Sequence, residues 1–279
     1  MGAKDASPTN IRLLMNNLGF GESPRWRLDR LWFANWGTQQ IVAVDCQGKS
    51  EVMVRVPTTL PYCFDWLPDG RLLIVSGPEG LVLRVEPDGS LVTHADLSSI
   101  SGEGWNEIVV DGRGNAYVNG DGLVLLTREG SVRRVADDFA FPNGMTVTPD
   151  NSTLIVAESH GRRLTAFDIE ADGSLDNRRV WADLGDGVPD GICIDAENAV
   201  WYADVPNKRC VRVREGGEAV QTIDLDRGCF ACMLGGAERK TLFIVAAEWL
   251  GFSRMAEALA AQSGQLLAAD VSTPGAGWP

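Results

Sequence analysis

Two turn signals, each recurring six times along 279 residues, predict an all-β fold: a six-bladed β-propeller with four antiparallel strands per blade. The first signal is a turn followed by an apolar, β-rich triplet. It reads Leu28-Asp29-Arg30 before Leu31-Trp32-Phe33, and Pro68-Asp69-Gly70 before Leu72-Leu73-Ile74. It continues as Asp111-Gly112-Arg113-Gly114 before Ala116-Tyr117-Val118, and Pro149-Asp150-Asn151 before Leu154-Ile155-Val156. The last two are Asp195-Ala196-Glu197-Asn198 before Val200-Trp201-Tyr202, and Ala237-Glu238-Arg239 before Leu242-Phe243-Ile244. The second signal falls between these: Gln47-Gly48, Asp88-Gly89, Glu129-Gly130, Asp172-Gly173, Gly216-Gly217 and Ser263-Gly264. Such pairs make tight hairpins because glycine tolerates positive φ. Two hairpins per unit give four strands, and the units recur about every 40 residues, the length of a propeller blade.

The remaining segments fit around these six units. Ile11 to Met15 has no unit of its own, so a strand over about 11–18 is expected to join the last blade and close the ring. Ser253 to Gln262, with Met255, Ala256, Leu259 and Ala260, is helix-like and is expected in a late loop. Elsewhere the apolar runs are short, β-branched and cut by turns, with no sustained 3.6-residue period. Residues 1–279 are therefore read as one propeller domain.

Composition narrows the function. Hydrophobic residues make up 44% and charged residues 23%, ordinary for a soluble globular protein. A net charge of −13 argues against nucleic acid, whose phosphates are bound by clustered Lys and Arg, and against an anionic membrane surface. No apolar run reaches membrane-spanning length. Met1 to Asn10 lacks the basic-then-apolar pattern of a secretory leader, so a cytoplasmic location is expected. The six cysteines, at 46, 63, 193, 210, 229 and 232, are scattered and suit a reduced compartment. Cys229 and Cys232 form one Cys-x-x-Cys, but His94 and His160 supply no second ligand pair for zinc. The two read as small buried side chains, with a redox pair or a substrate-facing wall as the alternatives.

Aligning the units on their first turn sets Trp26, Leu67, Val110, Val147 and Ile194 as equivalent. Four residues before them lie Glu22, Cys63, Asn106, Asn143 and Asp190, with Ala231 as the sixth. The position precedes the second strand of each blade, so the loop between first and second strands is expected to open at a channel mouth. Equivalent residues then face a common axis. Four of the six carry hard oxygen donors, which suits Ca²⁺ or Mg²⁺ and not a thiolate metal. Singly, Pro142-Asn143-Gly144 and Pro189-Asp190-Gly191 also read as ordinary turn tripeptides.

The chain resembles the SMP-30/gluconolactonase/luciferin-regenerating-enzyme (LRE) family, bacterial type. The resemblance is carried by Gly21-Glu22-Ser23-Pro24-Arg25-Trp26, Trp105-Asn106-Glu107, Phe141-Pro142-Asn143-Gly144-Met145 and Pro189-Asp190-Gly191-Ile192. Cys229-Phe230-Ala231-Cys232-Met233-Leu234-Gly235-Gly236 resembles bacterial members in particular. It implies one divalent metal, usually Ca²⁺ with Zn²⁺, Mn²⁺ or Mg²⁺ as alternatives, on Glu22, Asn143 and Asp190. It also implies that Asn106 lies near metal and substrate, and that Asp190 is the general base or nucleophile. The substrate it implies is a small-molecule lactone, opened by hydrolysis. The chain departs from sugar-lactonase members in having Gly104 where they carry Arg, and Glu107 where Asp is usual. Expected mouth residues are largely apolar: Trp36, Tyr62, Cys63, Phe64, Trp105, Phe230 and Met233, with His160 at a strand end as a possible substrate contact. Both features point to a substrate less polar than a sugar lactone.

Other enzyme classes fit poorly. There is no Gly-x-Ser-x-Gly, and no Gly-x-Gly-x-x-Gly opening a helix. The alternatives are a calcium-dependent phosphotriesterase of the diisopropylfluorophosphatase type, which shares the architecture, and a non-catalytic calcium-binding propeller.

Overall fold

A computed structural model describes residues 10–276. The expected absence of a leader in Met1 to Asn10 falls almost wholly outside them, as do both ends of the 1–279 domain span. Six four-stranded antiparallel sheets form the fold. Their innermost strands are Gly21–Arg27, Tyr62–Trp66, Glu107–Val110, Pro142–Val147, Pro189–Ile194 and Gly228–Gly235, in blades 1 to 6. These six strands touch in sequence order, and the sixth touches the first, so the ring is closed. No helix among the described residues is long and apolar enough to cross a membrane.

Blade 6 is built from both ends of the chain. Its outermost strand is Ile11–Leu18, which pairs antiparallel with Gly264–Asp270. That pairing corrects one turn assignment. Ser263-Gly264 does not join third and fourth strands, because the fourth strand of this blade comes from the N-terminus. It ends a long connection from Thr241–Ala247 that contains the single turn of 3₁₀ helix Phe252–Arg254 and the helix Met255–Ala261. The helix-like segment thus lies where a late loop was expected.

The sheets bury their faces against one another. Trp26 of blade 1 stacks on Phe243 of blade 6, with ring centroids 5.3 Å apart. Phe64 meets Trp66 edge to face at 5.3 Å, and Trp66 meets Trp32 at 5.1 Å, joining blades 1 and 2. Each fully buried side chain of this size contributes about 1.5–3 kcal/mol by leaving water. Cys193, Cys210, Cys229 and Cys232 are free thiols buried together in the core around blades 5 and 6. Neither Cys229 nor Cys232 reaches the cavity described below.

Two features of the innermost strands set the functional geometry. First, the aligned positions lie near the start of each innermost strand, and not beside the loop to the second strand. In blade 1, Glu22 lies opposite Ala34, whereas the turn follows the Arg27–Arg30 pair at the far end of the strand. The mouth they face is the one where the chain enters each blade. Second, four blades carry a β-bulge at this point. Asn143 and Gly144 face one partner residue, as do Asp190 and Gly191, and Ser23 and Pro24. In blade 6 the extra residue is Phe230, between Cys229 and Ala231. Phe230, and not Ala231, is therefore the sixth equivalent. A bulge turns a side chain off the regular alternation of a strand, here toward the mouth.

Candidate metal centre and active site

The glycines of Asn143-Gly144 and Asp190-Gly191 have a physical reason other than turn formation. A Cβ on Gly144 would lie 2.5 Å from the Asp190 carbonyl oxygen, and one on Gly191 would lie 2.3 Å from Ala231 Cβ. The innermost strands of blades 4, 5 and 6 approach too closely for any side chain there. Both tripeptides are strand segments at a bulge, and the ordinary-turn reading does not hold.

A cavity of about 270 Å³ opens at this mouth. Glu22, Asn106, Asn143 and Asp190 all line it. Trp36, Cys63, His160 and Phe230 line it as well. Trp105 does not: it is fully buried in the core between blades 2 and 3. Tyr62, Phe64 and Met233 are likewise core residues, and the Tyr62 hydroxyl donates to the Asn35 carbonyl at 2.7 Å.

The floor is a chain of polar groups running across blades. Asn106 Nδ2 donates to Asn143 Oδ1 at 3.3 Å, and Asn143 Nδ2 to Ser159 Oγ at 3.4 Å. Ser159 Oγ donates to the Pro189 carbonyl at 2.7 Å. Buried Asn119 donates to the Asn143 carbonyl at 2.6 Å and accepts from the Glu107 amide at 3.2 Å. Asn119 and Ser159 thus fix the backbones on which Asn143 and Asp190 sit. Phe141, next to this strand, has φ 63°, a left-handed conformation that costs an L-residue about 1–2 kcal/mol.

A third carboxylate, Glu107, shares the cavity wall. It is neutralised from behind. Arg25 Nη2 lies 3.3 Å from Glu107 Oε1, Arg25 Nε lies 3.9 Å from Asp65, and Ser23 Oγ donates to Glu107 at 3.1 Å. Arg25 also donates to the Ile108 carbonyl at 2.7 Å. One buried guanidinium therefore ties blades 1, 2 and 3 beneath the mouth.

Glu22 and Asp190 have no such partner. Among the described residues, neither forms an ion pair with a Lys or Arg. Burial pushes the Glu22 carboxyl well above its ordinary range, with Asp190 and then Glu107 adding repulsion. Burial does the same to Asp190, with Glu107 next, against a hydrogen bond from Asn143. Glu22 is buried and Asp190 half-buried, and carboxyls so withdrawn from water without a cation favour neutralisation by protons or by a metal ion. Among the described residues, no group of three or more His, Cys, Asp and Glu is placed to hold a metal. The donor set that fits a cation here is two carboxylates plus the amide oxygens of Asn143 and Asn106. These are hard ligands suited to Ca²⁺.

Comparison with known proteins gives the family of the chain. A profile of the SMP-30/gluconolactonase/LRE-like region matches residues 20–248. The chain belongs to this family. Zebrafish (Danio rerio) regucalcin is 32% identical over 145 residues, half of this chain and 48% of that protein. The chain thus spans about half the length of the first curated relatives it matches. 6-Deoxy-6-sulfogluconolactonase from Pseudomonas putida is 28% identical over 93% of this chain and 94% of its own length. Among solved structures, a calcium-binding protein, regucalcin, from Agrobacterium tumefaciens superposes with a TM-score of 0.79. It is 19% identical and covers 96% of each chain. At that identity the likeness within the SMP-30/gluconolactonase/LRE-like family shows the shared fold alone.

Sequence reasoning missed several wall residues: Phe20, Ser159, Trp249, Phe252 and Met255. Three of these lie in the blade-6 connection, whose length was visible but whose direction was not.

Proposed function

We propose that the chain is a metal-dependent lactone hydrolase. The observation that carries this is that buried Glu22 and half-buried Asp190, neither ion-paired to a Lys or Arg, face one cavity beside two amides. Glu22, Asn143 and Asp190 would hold a divalent cation, calcium by donor type, with Asn106 beside it. Such a cation supplies a Lewis acid for the lactone carbonyl. Asp190 takes the proton of the attacking water as the new C–O bond forms. It returns that proton to the ring oxygen as the ring C–O bond breaks, leaving a hydroxy acid. Asn106 and Asn143 orient the substrate through amide hydrogen bonds. Among the described residues, no Lys or Arg lines the cavity, and much of its wall is apolar. This supports a substrate less polar than a sugar lactone.

A panel of sugar, aliphatic and aromatic lactones tests the reading, run with EDTA and then with added Ca²⁺, Mn²⁺ or Zn²⁺. Hydrolysis is expected only with metal, and best with Ca²⁺. Turnover of an aryl phosphotriester and of no lactone would instead favour the phosphotriesterase.

The carboxyls also make a stability prediction. Unfolded, they titrate near pH 4. Folded without metal, they titrate higher, so the folded state binds more protons above pH about 4. The stability from their protonated forms is complete below that pH and falls as pH rises through the raised values. A bound cation replaces the protons and removes the fall. Thermal midpoints between pH about 4.5 and 8 should drop with EDTA and stay level in about 1 mM CaCl₂. Identical slopes in the two conditions would contradict a cation at these carboxyls.

A further inference from the structure

The connection between second and third strands is short in blades 1 to 5, but in blade 6 it runs from Ala247 to Gly264. It brings Trp249, Phe252 and Met255 into the cavity wall. There the rings form a continuous series. Phe20 meets Phe230 at 4.5 Å, Phe230 meets Trp249 at 5.6 Å, and Trp249 meets Phe252 at 4.9 Å, all edge to face. Phe252 meets Phe141 at 5.9 Å, and Phe141 stacks on His160 at 4.7 Å. Phe252 is 65% exposed and Phe141 40% exposed. Large apolar surface is thus left in water at the cavity edge, with Phe141 held in its left-handed conformation.

We propose that this wall binds a flat, uncharged aromatic substituent of the substrate, laid against the exposed surfaces of Phe252 and Phe141. Phe252 is then a specificity-determining residue. The proposal rests on the lactonase reading for the reacting half of the molecule. Aromatic rings gain from edge-to-face and offset contacts at the spacings already present, and an alkyl chain gains only burial. A polyhydroxylated substituent would leave its hydroxyls without partners along this wall. An anionic substituent would leave water for a wall with no lining Lys or Arg to pair with it.

The test uses three γ-lactones that differ only in substituent: phenyl, hexyl and dihydroxyethyl. Wild-type kcat/KM should be highest for phenyl and at least about 100-fold above dihydroxyethyl. Phe252→Ala should lower the phenyl to dihydroxyethyl ratio about tenfold, through KM. Phe252→Leu keeps apolar bulk, guards against misfolding, and should lose nearly as much. The phenyl-substituted γ-lactam, which is not opened, is titrated separately by tryptophan fluorescence. Its Kd should rise about tenfold in both variants. Preference for hexyl over phenyl, or unchanged lactam affinity in both variants, would overturn the proposal. Phe252-dependent lactam binding with no lactone opened would leave the aromatic wall standing and remove the lactonase reading.

Discussion

Asp190→Asn is expected to lower lactone turnover about 1,000-fold and to leave the folded state intact. The amide is the same size as the carboxyl and keeps one oxygen toward the cavity. It cannot take a proton from water. It also removes a negative charge beside Glu107 and Glu22, so the metal-free thermal midpoint should hold or rise. The check is kcat/KM on the best lactone, the thermal midpoint in EDTA, and calcium affinity by titration. Turnover within about fivefold of wild type would exclude Asp190 as the base.

Glu22→Gln should act differently. Charge count on the ligands tunes calcium affinity over several orders of magnitude. Losing one of two carboxylates should weaken calcium binding by about 100-fold or more. The variant should be nearly inactive at calcium levels that saturate wild type and recover most of its kcat when calcium is raised. Asp190→Asn should not recover. If calcium fails to rescue Glu22→Gln, Glu22 does more than hold the cation. If calcium affinity is unchanged, Glu22 is not a ligand.

The fold was legible because each blade repeats the same hairpin signals, and each hairpin is a local event. The candidate site was legible as one repeat position, whose Glu22, Asn106, Asn143 and Asp190 line one cavity. What the sequence hid was geometric. The bulges at Asn143, Asp190 and Phe230 leave no residue-type signature that separates them from turns, so Ala231 stood in for Phe230. Trp105 adjoins Asn106 in sequence, yet it packs into the core between blades 2 and 3 just ahead of the strand. Phe252 and Trp249 belong to no repeat, so no alignment of blades could place them.

Among the described residues, the first strand in the chain belongs to the blade completed last. Ile11–Leu18 has to wait until Gly264–Asp270 exists before its backbone groups find partners. The other blades close from neighbouring hairpins, but this seam joins residues more than 240 apart in sequence. Such distant pairings form slowly, because chain entropy must be lost before any contact is gained. Blade 6 also stands between blade 1, which carries Glu22, and blade 5, which carries Asp190. The two carboxyls are therefore brought together by closure of the circle, so a cation that bridges them would favour the closed ring over any open form of the chain.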